Sequence, residues 1–239
     1  MNSLLEYVLE AHGGLELWNR FLDLVTDVEI GGQICERKGL TGLMPRSRLF
    51  LSLREQRVVI LLPGGQERSL IYPDRVSIVG GGGSQLASLA DPRSALLQEG
   101  PDAPWDILRG AYFVGRTEWR HVTAPFLYTY PGFETEEIEP WHENGEIWRV
   151  LKVTFPRSIE PHTRIQYAYY GGDGLLRRHR CKIDILGGLD SAIYVRSYEK
   201  VNGIMMPTSR ELLGCNANGR KVDGPPLVTI RLSSTFFSD

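Results

Sequence analysis

Arg177 and His179 stand where an apolar face is expected, alternating with Leu175, Cys181 and Ile183 along one strand-like run. Period-two spacing puts all five on one side of a β-strand. The other side carries Arg178, Arg180, Lys182 and Asp184 and reads as solvent-facing. A guanidinium and an imidazole on an inward face must be hydrogen-bonded or must line a wet cavity. Imidazole titrates near neutrality, which makes His179 a candidate acid or base. The plainer reading is an Arg–carboxylate or His–carbonyl contact that fixes the sheet. His142 is the second candidate. It lies in Trp141–Trp148, WHENGEIW, whose central Asn144-Gly145 is a strong signal for a type I′ hairpin. That turn pairs Glu143 with Glu146, His142 with Ile147, and Trp141 with Trp148. His142 then shares the face of Ile147, Leu151, Val153 and Phe155, near the rim, while the two tryptophans pair on the other face. The candidate catalytic set is His179, His142 and Arg177.

His121 and His162 are assigned to the surface. His12, beside Gly13-Gly14, reads as a group at a helix C-terminus, where the dipole favours its charge. A metal needs three converging ligands; His142 and His179 lack a third, so none is expected. No GxSxG elbow marks a nucleophile. Gly80 to Gly83 has neither the lysine nor the strand–helix context of a phosphate loop, and no nucleotide fingerprint occurs, so no cofactor is expected. Cys35, Cys181 and Cys215 are odd in number and far apart, with no CxxC, which fits reduced thiols.

The elements that must position these groups begin with Asp102 to Thr123. At helical spacing Trp105, Leu108, Tyr112, Gly115 and Trp119 form one stripe, widened by Ile107 and Ala111. Asp102 before Pro104 reads as the cap and first turn, and Pro125 as the stop. The stripe needs a broad apolar surface, and most of the remaining chain reads as strand. Short helices are expected over 3–12 and 15–22. Strands are expected from Leu24, with a bend at Gly31-Gly32, then over 48–53, 57–62, 67–72 and 75–79. Residues 86–98 read as partly helical, broken near Pro92, and 126–130 as a short strand or turn. Glu134, Glu136, Glu137 and Glu139 read as a solvated edge. Beyond the hairpin, strands are expected over 164–170, 175–185, 194–200, 206–213 and 227–237. In the first of these, Ile165, Tyr167 and Tyr169 share one side, and His162, Arg164 and Gln166 the opposite, wetter side.

About ten strands with hairpin-length links make an antiparallel sheet too long to stay flat. The expected fold class is mainly β (α+β): a curved sheet or unclosed β-barrel wrapped around a central helix. One domain is expected over 1–239, with helices in 1–23, strands in 24–79, a helical insertion in 86–124 and strands in 126–239. Trp105, Tyr112, Trp119, Tyr167, Tyr169 and Tyr194 are candidate ligand-binding residues. Plain core is the default for each, but a buried tyrosine hydroxyl wants a partner, and an apolar wall with a few polar anchors suits a ligand cavity.

The 239 residues are 42% hydrophobic and 23% charged, ordinary for a soluble globular protein. A net charge of −2 supplies no basic field for nucleic acid or anionic lipid. Glu6 and Glu10 interrupt the first apolar run, so it does not read as a signal peptide. No stretch approaches the ~20 apolar residues of a membrane span. A cytoplasmic protein is expected.

Several segments carry a resemblance: AHGGLELW (Ala11 to Trp18), EPWHENGEIWRVLKVTFP (Glu139 to Pro156), GLLRRHR (Gly174 to Arg180) and YEKVNGIMMPTSREL (Tyr198 to Leu212). They resemble a group of bacterial proteins mostly described as uncharacterised. More remotely the layout is similar to the LolA-like lipoprotein-carrier fold, an unclosed antiparallel barrel over helices with an apolar cavity. In such proteins a tyrosine strand, an Asn-Gly turn and a proline-containing strand recur near the end, as at Tyr198, Asn202-Gly203 and Pro207. The resemblance implies a hydrophobic small molecule or lipid as partner, and binding of a greasy ligand or acyl chain in the half-barrel. It supplies no catalytic residues. A violacein-pathway enzyme is similar in fold to these carriers, which keeps open a cofactor-independent enzyme of secondary metabolism, a cyclase, isomerase or hydrolase, with His179 or His142 as acid/base.

Overall fold

The computed structural model describes residues 2–44 and 46–239. The chain opens with α1 (Ser3–Ala11) and α2 (Leu15–Trp18), then β1 (Asp23–Gly31), α3 (Gln33–Arg37), α4 (Leu40–Leu43) and β2 (Arg46–Ser52). Next come β3 (Val58–Leu61), β4 (Arg68–Ile71), β5 (Arg75–Val79), β6 (Gln85–Ala90), α5 (Pro92–Glu99) and α6 (Ile107–Thr123). The second half is β7 (Glu134–Glu143), β8 (Glu146–Thr154), β9 (Ile165–Tyr170), β10 (Leu176–Ile183), β11 (Leu189–Val201), β12 (Ile204–Gly214) and β13 (Val228–Ser238).

All thirteen strands form one antiparallel sheet, in the order β6-β5-β4-β3-β2-β1-β13-β12-β11-β10-β9-β8-β7. Two meanders, β1–β6 and β7–β13, meet where β1 pairs with β13. The sheet does not close, and β6 and β7 are its edges. In the chain these edges are joined through α5 and α6. The acidic run lies on edge strand β7, as expected.

Several boundaries differ from the sequence reading. Residues 85–90 are an edge strand rather than helix, and Pro92 starts α5 instead of breaking one, its fixed φ suiting a first helical turn. Helix α6 is capped by Asp106, whose carboxylate accepts from Arg109 N at 2.9 Å, and not by Asp102. The reason is Lys38: its Nζ donates to the carbonyls of Pro101 and Ala103 at 2.6 and 2.5 Å, holding that segment out of the helix. Trp105 is buried ahead of α6 and packs on Phe113, ring centroids 5.0 Å apart. Helix α2 stops at Trp18, short of Leu22, because Arg54 donates to the carbonyls of Trp18 and Phe21. Residues 126–129 form a 3-10 turn.

Every residue of α6 from Gly110 to Thr123 is buried, not one stripe alone. The helix packs closest against β2 to β5. Gly115 lies against Ile71 of β4 on this side. Leu151, Val153, Phe155, Ala168, Ile193 and Leu212 face the same interior and belong to the main core. The outer face of β8 to β12 carries a second cluster of Trp148, Val150, Tyr169, Ala192, Tyr194 and Leu213, with Trp141 and Tyr167 at its border. The hairpin at Asn144-Gly145 forms in the expected register, with φ of 55° and 79°.

Candidate functional site

Where α6 faces β10 to β13, a cavity remains. Helix α6 contributes Phe113, Thr117, Arg120 and His121. The sheet opposite is mostly aliphatic: Ile183, Ile193, Leu212, Val228 and Ile230, with His179 and Cys181 of β10 and Ser191 of β11. His162 closes one side. The free space is about 20 Å³, roughly that of one water molecule.

The polar groups here are unusual for an aliphatic pocket. Arg120 is 4% exposed, and its Nε and Nη1 have no hydrogen-bond partner among the described residues. Thr117 Oγ1, one helical turn earlier, is also unpartnered, as is His121 Nε2. His121 Nδ1 lies 2.7 Å from the carbonyl of Thr117, which makes Nδ1 the donor and Nε2 the bare nitrogen of the neutral ring. The rings of His121 and His179 meet edge to face, centroids 5.6 Å apart. Burial pushes His179 down to about 3, and the charge of Arg120 adds to this. Burial first, then the charges of Arg210 and Arg120, hold His121 well below the usual histidine range. His162 is lowered by burial and by Arg120, against the pull of Asp184, whose carboxylate lies 3.1 Å from Nδ1. All three rings are neutral at pH 7. They do not form a metal site: among the described residues no three His, Cys, Asp or Glu converge as ligands.

The other charges inside the half-barrel are matched. Arg210 of β12 pairs with Glu118 of α6 at 2.5 Å. Asp184 pairs with Arg93 at 2.6 Å. Arg116 donates to the carbonyls of Glu160 and Pro161 and to the hydroxyl of Tyr112, which itself donates to the Glu160 carboxylate at 2.8 Å. Among the described residues lining the cavity, Arg120 is the cation whose side chain has neither a carboxylate nor a carbonyl partner.

Of the residues singled out from sequence, only His179 lines this cavity. His142 is exposed on the hairpin, beyond the reach of α6, and its face-mate Ile147 is 62% exposed. Arg177 is thrown out of the inner face by a β-bulge between Leu176 and Arg178. It pairs instead with Asp173 at 2.8 Å and Glu146 at 3.6 Å. Tyr112 points to Glu160 on another side of α6, and Trp119 donates from Nε1 to the carbonyl of Ser52 at 2.7 Å. Tyr167, Tyr169 and Tyr194 lie on the outer face, in or beside the second cluster, because β9 and β11 turn Ala168, Tyr170 and Ile193 inward instead. Gln166, expected on the wetter side, is fully buried.

The outer face is not plainly solvent either. Arg178 is completely buried there, beneath the 215–222 loop. Its guanidinium lies over the rings of Tyr169, Trp141 and Tyr194 at 4.6, 5.0 and 5.5 Å. It is 3.6 Å from Glu143, which accepts from Trp141 Nε1 and the Tyr194 hydroxyl. His121 and His162, assigned to the surface, are buried, because α6 is enclosed on all sides from Gly110 to Thr123 and His162 lines the cavity beside Asp184. His12 is buried at the end of α1 and pushed down to about 4 by burial, so it carries no charge for the dipole to favour. The signal for Arg120 and His121 was present: TEWRH sets four polar residues around Trp119 in a helix that the flanking strands must enclose.

No family model and no curated protein matches the chain. Among solved structures, it is similar to a LolA superfamily protein from Nitrosomonas europaea, at 13% identity and a TM-score of 0.50, over 97% of this chain and 92% of that one. The fold is LolA-like. A DUF1329 family protein from Desulfovibrio piger shares 9% identity over 99% of this chain and 92% of that one, with a TM-score of 0.49. At these identities the likeness speaks for the LolA-like fold alone.

Proposed function

We propose that the chain binds a hydrophobic small molecule or acyl chain between α6 and the β10–β13 wall of the half-barrel. The observation that carries this reading is the unpartnered Arg120–Thr117 pair set against an aliphatic wall. A core that serves packing alone gains nothing from an unmatched guanidinium, whose burial costs several kcal/mol. The sequence resemblance to lipoprotein carriers implies the same class of ligand, and the fold is of the kind that resemblance calls for. The seam is narrow, with space for about one water. Binding therefore requires α6 to part from β10–β13, on the side away from its closest packing against β2 to β5, with the Arg210–Glu118 pair shifting to allow it.

The enzymatic alternative has less behind it. A general base serves best with a pKa near the working pH. His179 is pushed far below that and has the edge of another imidazole as its neighbour.

Titration with the neutral fluorophore N-phenyl-1-naphthylamine tests the proposal. Saturable one-to-one enhancement is expected, lost when the seam is filled by Ile193→Trp or by Val228→Phe. Non-saturable or absent enhancement with the folded wild-type protein overturns it.

A further inference from the structure

Among the described residues lining the seam, Arg120 is the one cation, and its side chain has no hydrogen-bond or salt-bridge partner. Arg210 is neutralised by Glu118, and Arg93 faces Asp184. The three imidazoles beside Arg120 are neutral, held so by burial. A guanidinium stays protonated under all these conditions. The seam thus presents a single positive charge, one hydroxyl donor at Thr117 and a wall of branched aliphatic side chains. Thr117 and Arg120 are three residues apart on α6 and share one face of the helix.

We infer that the ligand is a long-chain monocarboxylate, its head on the Arg120 guanidinium and the Thr117 hydroxyl and its tail along Ile193, Leu212, Val228 and Ile230. This rests on the seam being the binding site. A carboxylate brings one negative charge for one unmatched positive charge and accepts from both free donors. A phosphomonoester brings nearly two charges and would leave an uncompensated anion among neutral rings. A neutral alcohol would leave the guanidinium as it stands. An alkylammonium would place a second cation beside it.

Displacement of N-phenyl-1-naphthylamine by dodecanoate, dodecanol, dodecyl phosphate, acetate and inorganic phosphate tests the inference. Dodecanoate is expected to bind at least about tenfold more tightly than dodecanol, a difference of about 1.4 kcal/mol. Arg120→Met should bring the two ligands level. Thr117→Val should shrink the gap without closing it. Equal binding of dodecanoate and dodecanol to the wild-type protein overturns the carboxylate and leaves a site for neutral ligands. Tighter binding of dodecyl phosphate than of dodecanoate overturns the single-charge account. Displacement by acetate or inorganic phosphate as effective as that by dodecanoate overturns the tail. If the fluorophore itself does not bind, the seam is not a binding site and both readings fall. The wild-type comparison decides even if Arg120→Met does not fold.

Discussion

Arg210 of β12 and Glu118 of α6 meet at 2.5 Å, each about 1% exposed. This pair spans the same gap as the cavity and ties the central helix to the second meander. It is only half satisfied: Glu118 Oε1 and Arg210 Nε and Nη1 have no hydrogen-bond partners among the described residues. Two charges are thus held in apolar surroundings by one contact, beside a third charge that has none.

Removing one partner should expose how much the other depends on it. Arg210→Met leaves the Glu118 carboxylate buried and unpaired, and a loss of about 3–5 kcal/mol is expected. Arg210→Met combined with Glu118→Leu removes both charges and should recover most of that loss. Urea unfolding of the two singles and the double gives the coupling directly. Additive losses would mean that the pair acts through packing alone.

Arg120→Met should act in the opposite direction. Here no partner is orphaned, and the substitution takes an unmatched cation out of an aliphatic pocket. The ligand-free variant is expected to be more stable than wild type by about 1 kcal/mol or more. Thermal unfolding checks this. A destabilised variant would mean that Arg120 has a compensating interaction, and the argument for a ligand-directed charge would lose its basis.

The architecture could be read from sequence because it rests on period-two alternation, turn chemistry and one aromatic helix. Asn144-Gly145 fixes its hairpin locally, so the pairing of Trp141 with Trp148 followed from two residues. The inner face was harder. Alternation along β10 put Arg177 beside His179, but the bulge at Leu176–Arg178 shifts the frame by one residue. Arg178 was taken for solvent because nothing local shows that a loop some 40 residues later covers it; that loop supplies the Gly219 carbonyl to its guanidinium. The same limit hid His162 and Gln166. His121 was assigned outward, and Arg120 was not singled out, because a helix is expected to keep one wet side, and α6 has none from Gly110 to Thr123.

Arg178 carries the outer cluster. Its planar guanidinium is shared by three rings and reaches both Glu143 and the Gly219 carbonyl. Arg178→Ala should cost about 3–5 kcal/mol, chiefly by leaving Glu143 unpaired under the loop. Arg178→Lys keeps the charge but loses the planar fork, and should rescue less than half. Binding in the seam should be unchanged, because the cluster lies on the opposite face of the sheet. Urea unfolding with fluorophore titration separates the two effects. A variant that binds more weakly while losing no stability would count against the structural role.

Stability should also depend on pH through the buried histidines. His12 is held at about 4 and His179 at about 3, with His121 and His162 well below the ordinary value of 6.5. Above pH 6.5 both folded and unfolded chains hold these rings neutral, so they add no slope. Below 6.5 the unfolded chain takes up protons that the folded chain refuses. Each such ring then removes up to about 1.4 kcal/mol per pH unit until its folded value is passed. Asp184, held at about 2 by the His162 hydrogen bond and by nearby arginines against the cost of burial, adds its own loss below its ordinary 3.8. Melting temperatures taken from about pH 7.5 to about pH 4.5 should be flat at first and then fall steeply. His179→Phe keeps a ring against His121 and removes one proton site, so its curve should fall less steeply than that of wild type. An identical slope in the variant would mean that His179 titrates normally in the folded protein. A ring that titrates normally has water around it, and the seam would then be open and wet rather than shut around one buried cation.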